Sequence, residues 1–213
     1  LYGAVPFATA ARARGIRPIL GAELTLESDH HLTLLAENEA GWRNLCQLIS
    51  RARMRAPKGQ AKLAWADLDG RTDGLICLSG CRQGPIAVAL RAWDRTAAFR
   101  RARRLRDLFG PEHFWIEVQQ HLRKDDAMLA ESLVSLARHL KLGYVAANNV
   151  HYARRDGQPG GQRRGHRRYF SRKLSWQVLQ VPITGFISSA KAPASAGPSL
   201  QAALPAKRKA TFR

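Results

Sequence analysis

Residues 158–213 contain no aspartate and no glutamate. Ordinary composition would place roughly six acidic residues in a stretch of that length. The same stretch carries eleven Lys and Arg, so it holds +11 of the +19 net charge, while residues 1–157, with all 16 acidic residues, hold +8. A charge of +19 points to nucleic acid or an acidic surface as partner, but most of it belongs to the tail and says little about the rest of the chain. Cysteine is also scarce: Cys46, Cys77 and Cys81 are the only three. They make no disulfide framework, and a reducing, cytoplasmic location is expected. No run of about 18–20 apolar residues exists, which excludes a transmembrane helix. The opening Leu1-Tyr2-Gly3-Ala4-Val5-Pro6 has no charged segment followed by an apolar run and does not read as a signal peptide. Phosphate-cradling P-loop and GxGxxG patterns, the GxSxG nucleophile elbow and repeats of solenoid period are all missing.

What is present is a chain that is 45% hydrophobic, enough to bury a core in its first part. Residues 4–14 read as the end of a helix stopped by Gly15. Strands are expected at residues 19–26, 31–36, 74–79, 114–118 and 144–147, from short alternating or continuous apolar runs. Helices are expected at residues 40–54, 85–93, 95–109 and 127–142, from apolar residues at helical spacing and from Gly or Gly-Pro breaks. Strands alternating with helices imply an α/β fold with a largely parallel sheet, barrel or doubly wound, whose sites gather at the C-terminal ends of the strands. Residues 157–161 (GQPGG) punctuate a change of character. A basic cluster, GQRRGHRRYFSRK, and an Ala/Pro/Ser/Gly-rich segment follow, so 157–213 read as a disordered, low-complexity basic tail.

Four polar residues stand at the edges of the expected strands: Glu23, His31, Cys81 and His151. Asn149 lies two before His151, and in extended chain i and i+2 share a face. Glu, His and Cys are all competent metal ligands. Each also has a plainer reading: a solvated loop carboxylate, a small buried thiol, hydrogen-bonded histidines. Cys77 and Cys81 are four apart, but no second Cys/His pair completes a structural zinc site. The arginines at 95, 100, 101, 103, 104 and 106 could form a nucleic-acid stripe, but they fit the solvated face of an amphipathic helix better.

The segments LYGAVPFATAARARGIRPILGAELTL, HLTLLAENEAGWRNLCQLIS, GLICLSGC and FWIEVQQH…LARHLKLGYVAANNVHYARRDG occur in this order. Together they resemble the PHP (polymerase and histidinol phosphatase) domain of bacterial DNA polymerase III alpha subunits, with a flavour of the error-prone, damage-tolerant branch. The resemblance covers residues 1–156. It implies a distorted (β/α)7 barrel, here incomplete, with a centre for up to three divalent ions (Zn, Mn or Mg). It implies the metal ligands Glu23 in Gly-x-Glu, His31 before a Leu-rich strand (His30 being the less favoured neighbour), Cys81 after Ser-Gly, Asn149 where the family has Asp, and the closing His151.

The departures from the family pattern weigh as much as the matches. The N-terminal His-x-His and the Asp-His pair preceding Leu1-Tyr2-Gly3 are not found, and the barrel's first strand is missing with them, so about half the ligand set is expected to be lacking. Neutral Asn149 binds a hard cation less well than Asp. The carboxylates of nucleotidyl transfer lie far beyond such a domain, so no catalytic residue is assigned. The switch to an acid-free tail after residue 157 reads as frame-shifted or spliced. The expected function is that of a fragment of a DNA polymerase III alpha-type, error-prone polymerase, in which this domain gives structural support or metal-dependent 3′→5′ cleavage. DNA and other replication or translesion proteins are its expected partners. The other readings are a stand-alone PHP phosphoesterase and a non-enzymatic fragment that binds nucleic acid through its basic tail.

Overall fold

The computed structural model describes residues 3–121 and 123–148. The elements follow in the order α1 (Ala4–Arg12), β1 (Leu20–Thr25), β2 (His31–Ala36), α2 (Glu39–Met54), β3 (Leu75–Leu78), α3 (Pro85–Arg91), α4 (Arg95–Phe109), β4 (Phe114–Val118), α5 (Asp126–His139) and β5 (Gly143–Ala146). A single 3-10 turn, Trp65–Asp67, lies between α2 and β3. Asn38 starts α2 by accepting the Gly41 N–H at 3.0 Å, and Asp94 starts α4 by accepting the Ala97 N–H at 2.8 Å. Each supplies one of the acceptors that a helix N-terminus otherwise lacks. Pro85 opens α3, where its missing N–H costs nothing.

The five strands form one sheet in sequential order, β1-β2-β3-β4-β5. The fold is mixed α/β, and the sheet is not closed into a barrel among the described residues, as befits an incomplete PHP fold. It is less parallel than expected: β1/β2 and β2/β3 are antiparallel, while β3/β4 and β4/β5 are parallel. The reason lies in the connections. Residues 26–30 are too few for a crossover, and Asp29 turns the chain at φ +60°. After α2 the chain doubles back. Leu63 bridges Leu26 at one end of the sheet, and the Glu37 N–H meets the Gly74 carbonyl at 2.9 Å at the other, so β3 begins beside the end of β2.

The register sorts the sheet into two faces. Ala22, Leu34 and Cys77 align across β1, β2 and β3, and with Leu24, Leu32 and Phe114 they form the wall of the core, all 3% exposed or less. Leu45 and Leu48 of α2 and Leu105 of α4 lie in the same apolar cluster. The opposite face carries Glu23, Thr33, Leu78, Trp115 and Glu117 by alternation, and its polar members are buried too. Helix α5 ends at His139 rather than at 142. Lys141 takes the left-handed conformation, φ +55°, and the Leu142 N–H returns to the Ala137 carbonyl at 2.9 Å, closing a Schellman-type turn before Gly143 can act as the stop. The basic tail expected at 157–213 lies outside the described residues.

Helix α2 rests against the turn before β3 at one glycine. A β-carbon on Gly41 would collide with the Gly74 carbonyl, which also accepts the Glu37 N–H. In an open helix Gly→Ala gains about 1 kcal/mol. Here Gly41→Ala is expected to cost about 1–3 kcal/mol instead, because backbone must move. Urea unfolding will read this as a lowered midpoint at unchanged m-value.

Candidate metal centre

The antiparallel pairing of β1 and β2 sets Glu23 opposite Thr33 and Thr25 opposite His31. Glu23 and His31 are therefore diagonal neighbours on one face, within reach of long side chains. The His31 Nδ1 lies 3.3 Å from Glu23 Oε1, and both residues are 7% exposed. Cys81 arrives from β3. The strand ends at Leu78, and Ser79 and Gly80 turn the chain towards the start of β2. Gly80 holds φ +86°, and a β-carbon there would collide with the His31 carbonyl. The His31 N–H in turn donates to the Gln83 carbonyl at 3.0 Å. The result places Cys81 Sγ 3.6 Å from His31 Nδ1.

Of the three expected ligands among the described residues, only Cys81 follows the C-terminal end of a strand. Glu23 lies inside β1, and His31 opens β2. Because β2 runs against β3, its beginning coincides with the end of β3, which is how residues from opposite strand ends meet. Three of the five expected ligands thus come together, with one ligand atom from each lying within 4.8 Å of the others. His30 points elsewhere, its Nδ1 2.7 Å from Ser28 Oγ. Asn149 and His151 lie outside the described residues.

The donor set fits a divalent ion of the zinc type. Ligand bonds of ~2.0 Å to N or O and ~2.3 Å to S set tetrahedral donors about 3.3–3.6 Å apart; the two separations from His31 Nδ1 are 3.3 and 3.6 Å, and the Glu23 and Cys81 donors lie within 4.8 Å of each other. Burial by itself lowers the pKa of His31. The contacts with Cys81 and Glu23 outweigh it and raise the imidazole to about 10. A metal would have to displace that proton. Cys77 takes no part. It faces the core, and burial pushes its thiol well up.

Two features escape a reading of spacing alone. Glu117, the lone acid in the apolar run of β4, is 4% exposed on the polar face. Its Oε1 accepts from Gln119 Nε2 at 2.6 Å, while its Oε2 has no hydrogen-bond partner. Burial and, less strongly, the charge of Glu23 raise its carboxyl to about 7, against the opposing pull of Gln119 and the Gly80 N–H. The second feature is a clamp. Arg82, next to Cys81, bonds Asp125 at 2.6 Å and Asp126 at 2.5 Å. Asp126, 1% exposed, also accepts the N–H groups of His121 at 2.6 Å and Arg123 at 3.0 Å. Asp125 and Asp126, at the start of α5, therefore tie the Cys81 turn to that helix, and the Arg82 bond pulls the Asp125 carboxyl down to about 2. A solitary acid in an apolar strand is a usable signal for Glu117. Nothing local marks Arg82.

Two outcomes follow. Zinc affinity, measured by calorimetry in buffers of different ionisation enthalpy, is expected to rise about tenfold per pH unit above neutrality for each proton displaced and to collapse in His31→Gln. Glu117 gives a second pH dependence. Its folded pKa of about 7 lies above the ordinary 4.5, so the stability that its proton confers is complete below about 4.5 and lost as pH rises through 7. Glu117→Gln should flatten that segment of the stability–pH curve, by up to about 3 kcal/mol, in chemical unfolding between pH 4.5 and 7.5.

Among the described residues no helix is long and apolar enough to cross a membrane. The chain is 34% identical over 170 residues to the DNA polymerase III subunit alpha of Treponema pallidum, an alignment covering 73% of this chain and 14% of that protein. It is 37% identical to the error-prone DNA polymerase of Symbiobacterium thermophilum, over 72% of this chain and 16% of the relative. It is 36% identical to the error-prone DNA polymerase of Pseudomonas aeruginosa, over 71% and 13%. The chain thus spans about one sixth or less of the length of these relatives. The family model for the PHP domain matches residues 1–121, more than half of the sequence, and the chain belongs to the PHP domain family.

Proposed function

We propose that this chain is a fragment of a DNA polymerase III alpha-type polymerase of the error-prone branch, and that its centre is a reduced PHP metal site. The observation that carries the reading is the convergence of buried Glu23 and His31 and half-buried Cys81 on one point, within the residues that the PHP family model matches. The slightly higher identity to error-prone relatives, 36 and 37% against 34%, supports the branch.

In this reading Glu23, His31 and Cys81 hold one ion, and Asn149 and His151 add a weak and a strong ligand. A bound divalent ion supplies Lewis acidity towards a phosphate ester and lowers the pKa of a coordinated water. Glu23 brings negative charge to the ion, Cys81 a soft donor, and the Arg82 clamp holds the turn that carries Cys81. With so reduced a ligand set, the part this chain plays is mainly structural support for the parent polymerase, which acts on DNA in replication or damage-tolerant synthesis. Polymerisation itself belongs to the large portion of the relatives that this chain does not match.

The chain alone is therefore expected to show no turnover on single-stranded DNA with Mn²⁺ or Zn²⁺ above that of His31→Gln. Metal-dependent 3′→5′ release of nucleotides, abolished by His31→Gln or His151→Ala, would overturn the proposal that support is its main role. Hydrolysis of a chromogenic phosphomonoester but not of DNA would favour a stand-alone phosphoesterase instead.

A further inference from the structure

Outside the centre, an open concavity lies between α4 and the 3-10 turn at Trp65–Asp67. It is a groove of about 630 Å³. Arg100, Arg103 and Arg104, at i, i+3 and i+4 on α4, line one wall, all exposed, and Trp65 and Phe99, both half-buried, line the floor. The Arg104 guanidinium lies over the Trp65 ring, 4.3 Å from its centroid. The groove holds two acids. Asp107 is bound by Arg106 at 2.8 Å, and Asp69 is exposed. Arg100 and Arg103 have no carboxylate partner among the described residues.

Arginines without partners beside an aromatic floor are more than a solvated helix face. The buried side of α4, Ala98, Ala102 and Leu105, packs in the core, so the arginines are free of structural duty there. Arginine binds phosphate in a fork geometry. An indole with a guanidinium laid over it offers a flat, cationic platform for a base. An acidic peptide would use the arginines but leave the platform idle. We propose that this groove binds single-stranded nucleic acid, with Arg100 and Arg103 on successive phosphates and a base stacked on the Trp65–Arg104 pair. It shares no residue with the metal centre, so the inference stands whether or not that centre holds an ion.

The test uses the full chain, tail included, and a labelled oligo-dT in fluorescence anisotropy across a salt series. Arg100→Ala with Arg103→Ala, both exposed and removable without touching the core, should weaken binding at least tenfold. The double variant should also reduce the slope of log K against log salt by about 1.4, at ~0.7 for each phosphate that is no longer neutralised on a single strand. Circular dichroism and the thermal midpoint of the variant should match the parent. An abasic oligomer of equal length should bind several-fold more weakly than oligo-dT to the parent. Unchanged affinity and slope in the double variant would assign binding to the rest of the chain and overturn the proposal. Equal affinity for the abasic strand would overturn the stacking of a base on Trp65 and Arg104, and equally effective competition by an acidic peptide would overturn the assignment to a nucleic acid.

Discussion

The antiparallel register of β1, β2 and β3 is the constraint on which the centre rests. Pairing of Glu23 with Thr33 and of Thr33 with Leu78 places the polar positions of β1 and β2 on one face and Ala22, Leu24, Leu32, Leu34, Leu75 and Cys77 on the other. A slip of one residue would turn Glu23 and His31 into the hydrophobic core and Leu24 and Leu32 out of it. The cost of that exchange fixes the register, and with it the 3.3 Å approach of His31 to Glu23. The site is thus held by the packing of the opposite face, not by its own contacts.

The cluster carries an electrostatic cost that the surroundings offset only in part. Buried carboxylates are expensive unless paired. Glu23 has His31. Glu117 keeps one oxygen without a partner and answers by holding its proton to higher pH. A polar sheet face with such an unmet demand for positive charge is chemically suited to a cation. Geometry is kept in place from outside, by the Gly80 turn against the His31 carbonyl and by the Arg82 bridge to α5.

Local pattern makes the elements legible. The strand at His31–Ala36 and the helix at Arg95–Phe109 lie where apolar spacing places them, because each must bury one stripe. Sheet direction is not legible, since it depends on the return of residues 55–74, which has almost no periodicity of its own. The end of α5 departs from the pattern because Lys141, not Gly143, takes the left-handed conformation. Glu23, His31 and Cys81 are visible as ligand-type residues in or beside the expected strands, and the family motifs single them out. Arg82 is not visible, because a bridge across 43 residues has no local trace, and Glu117 shows only as a lone acid in an apolar strand, its missing partner leaving no mark in the sequence.

Direct binding of one ion by Glu23, His31 and Cys81 is the point on which the functional reading turns. X-ray absorption at the zinc edge of the zinc-loaded full chain examines it without an intermediary. One sulfur scatterer at ~2.3 Å with nitrogen and oxygen scatterers at ~2.0 Å is expected, the sulfur shell disappearing in Cys81→Ser. A shell of nitrogen and oxygen alone in the unaltered chain, or a sulfur shell that survives Cys81→Ser, would contradict it.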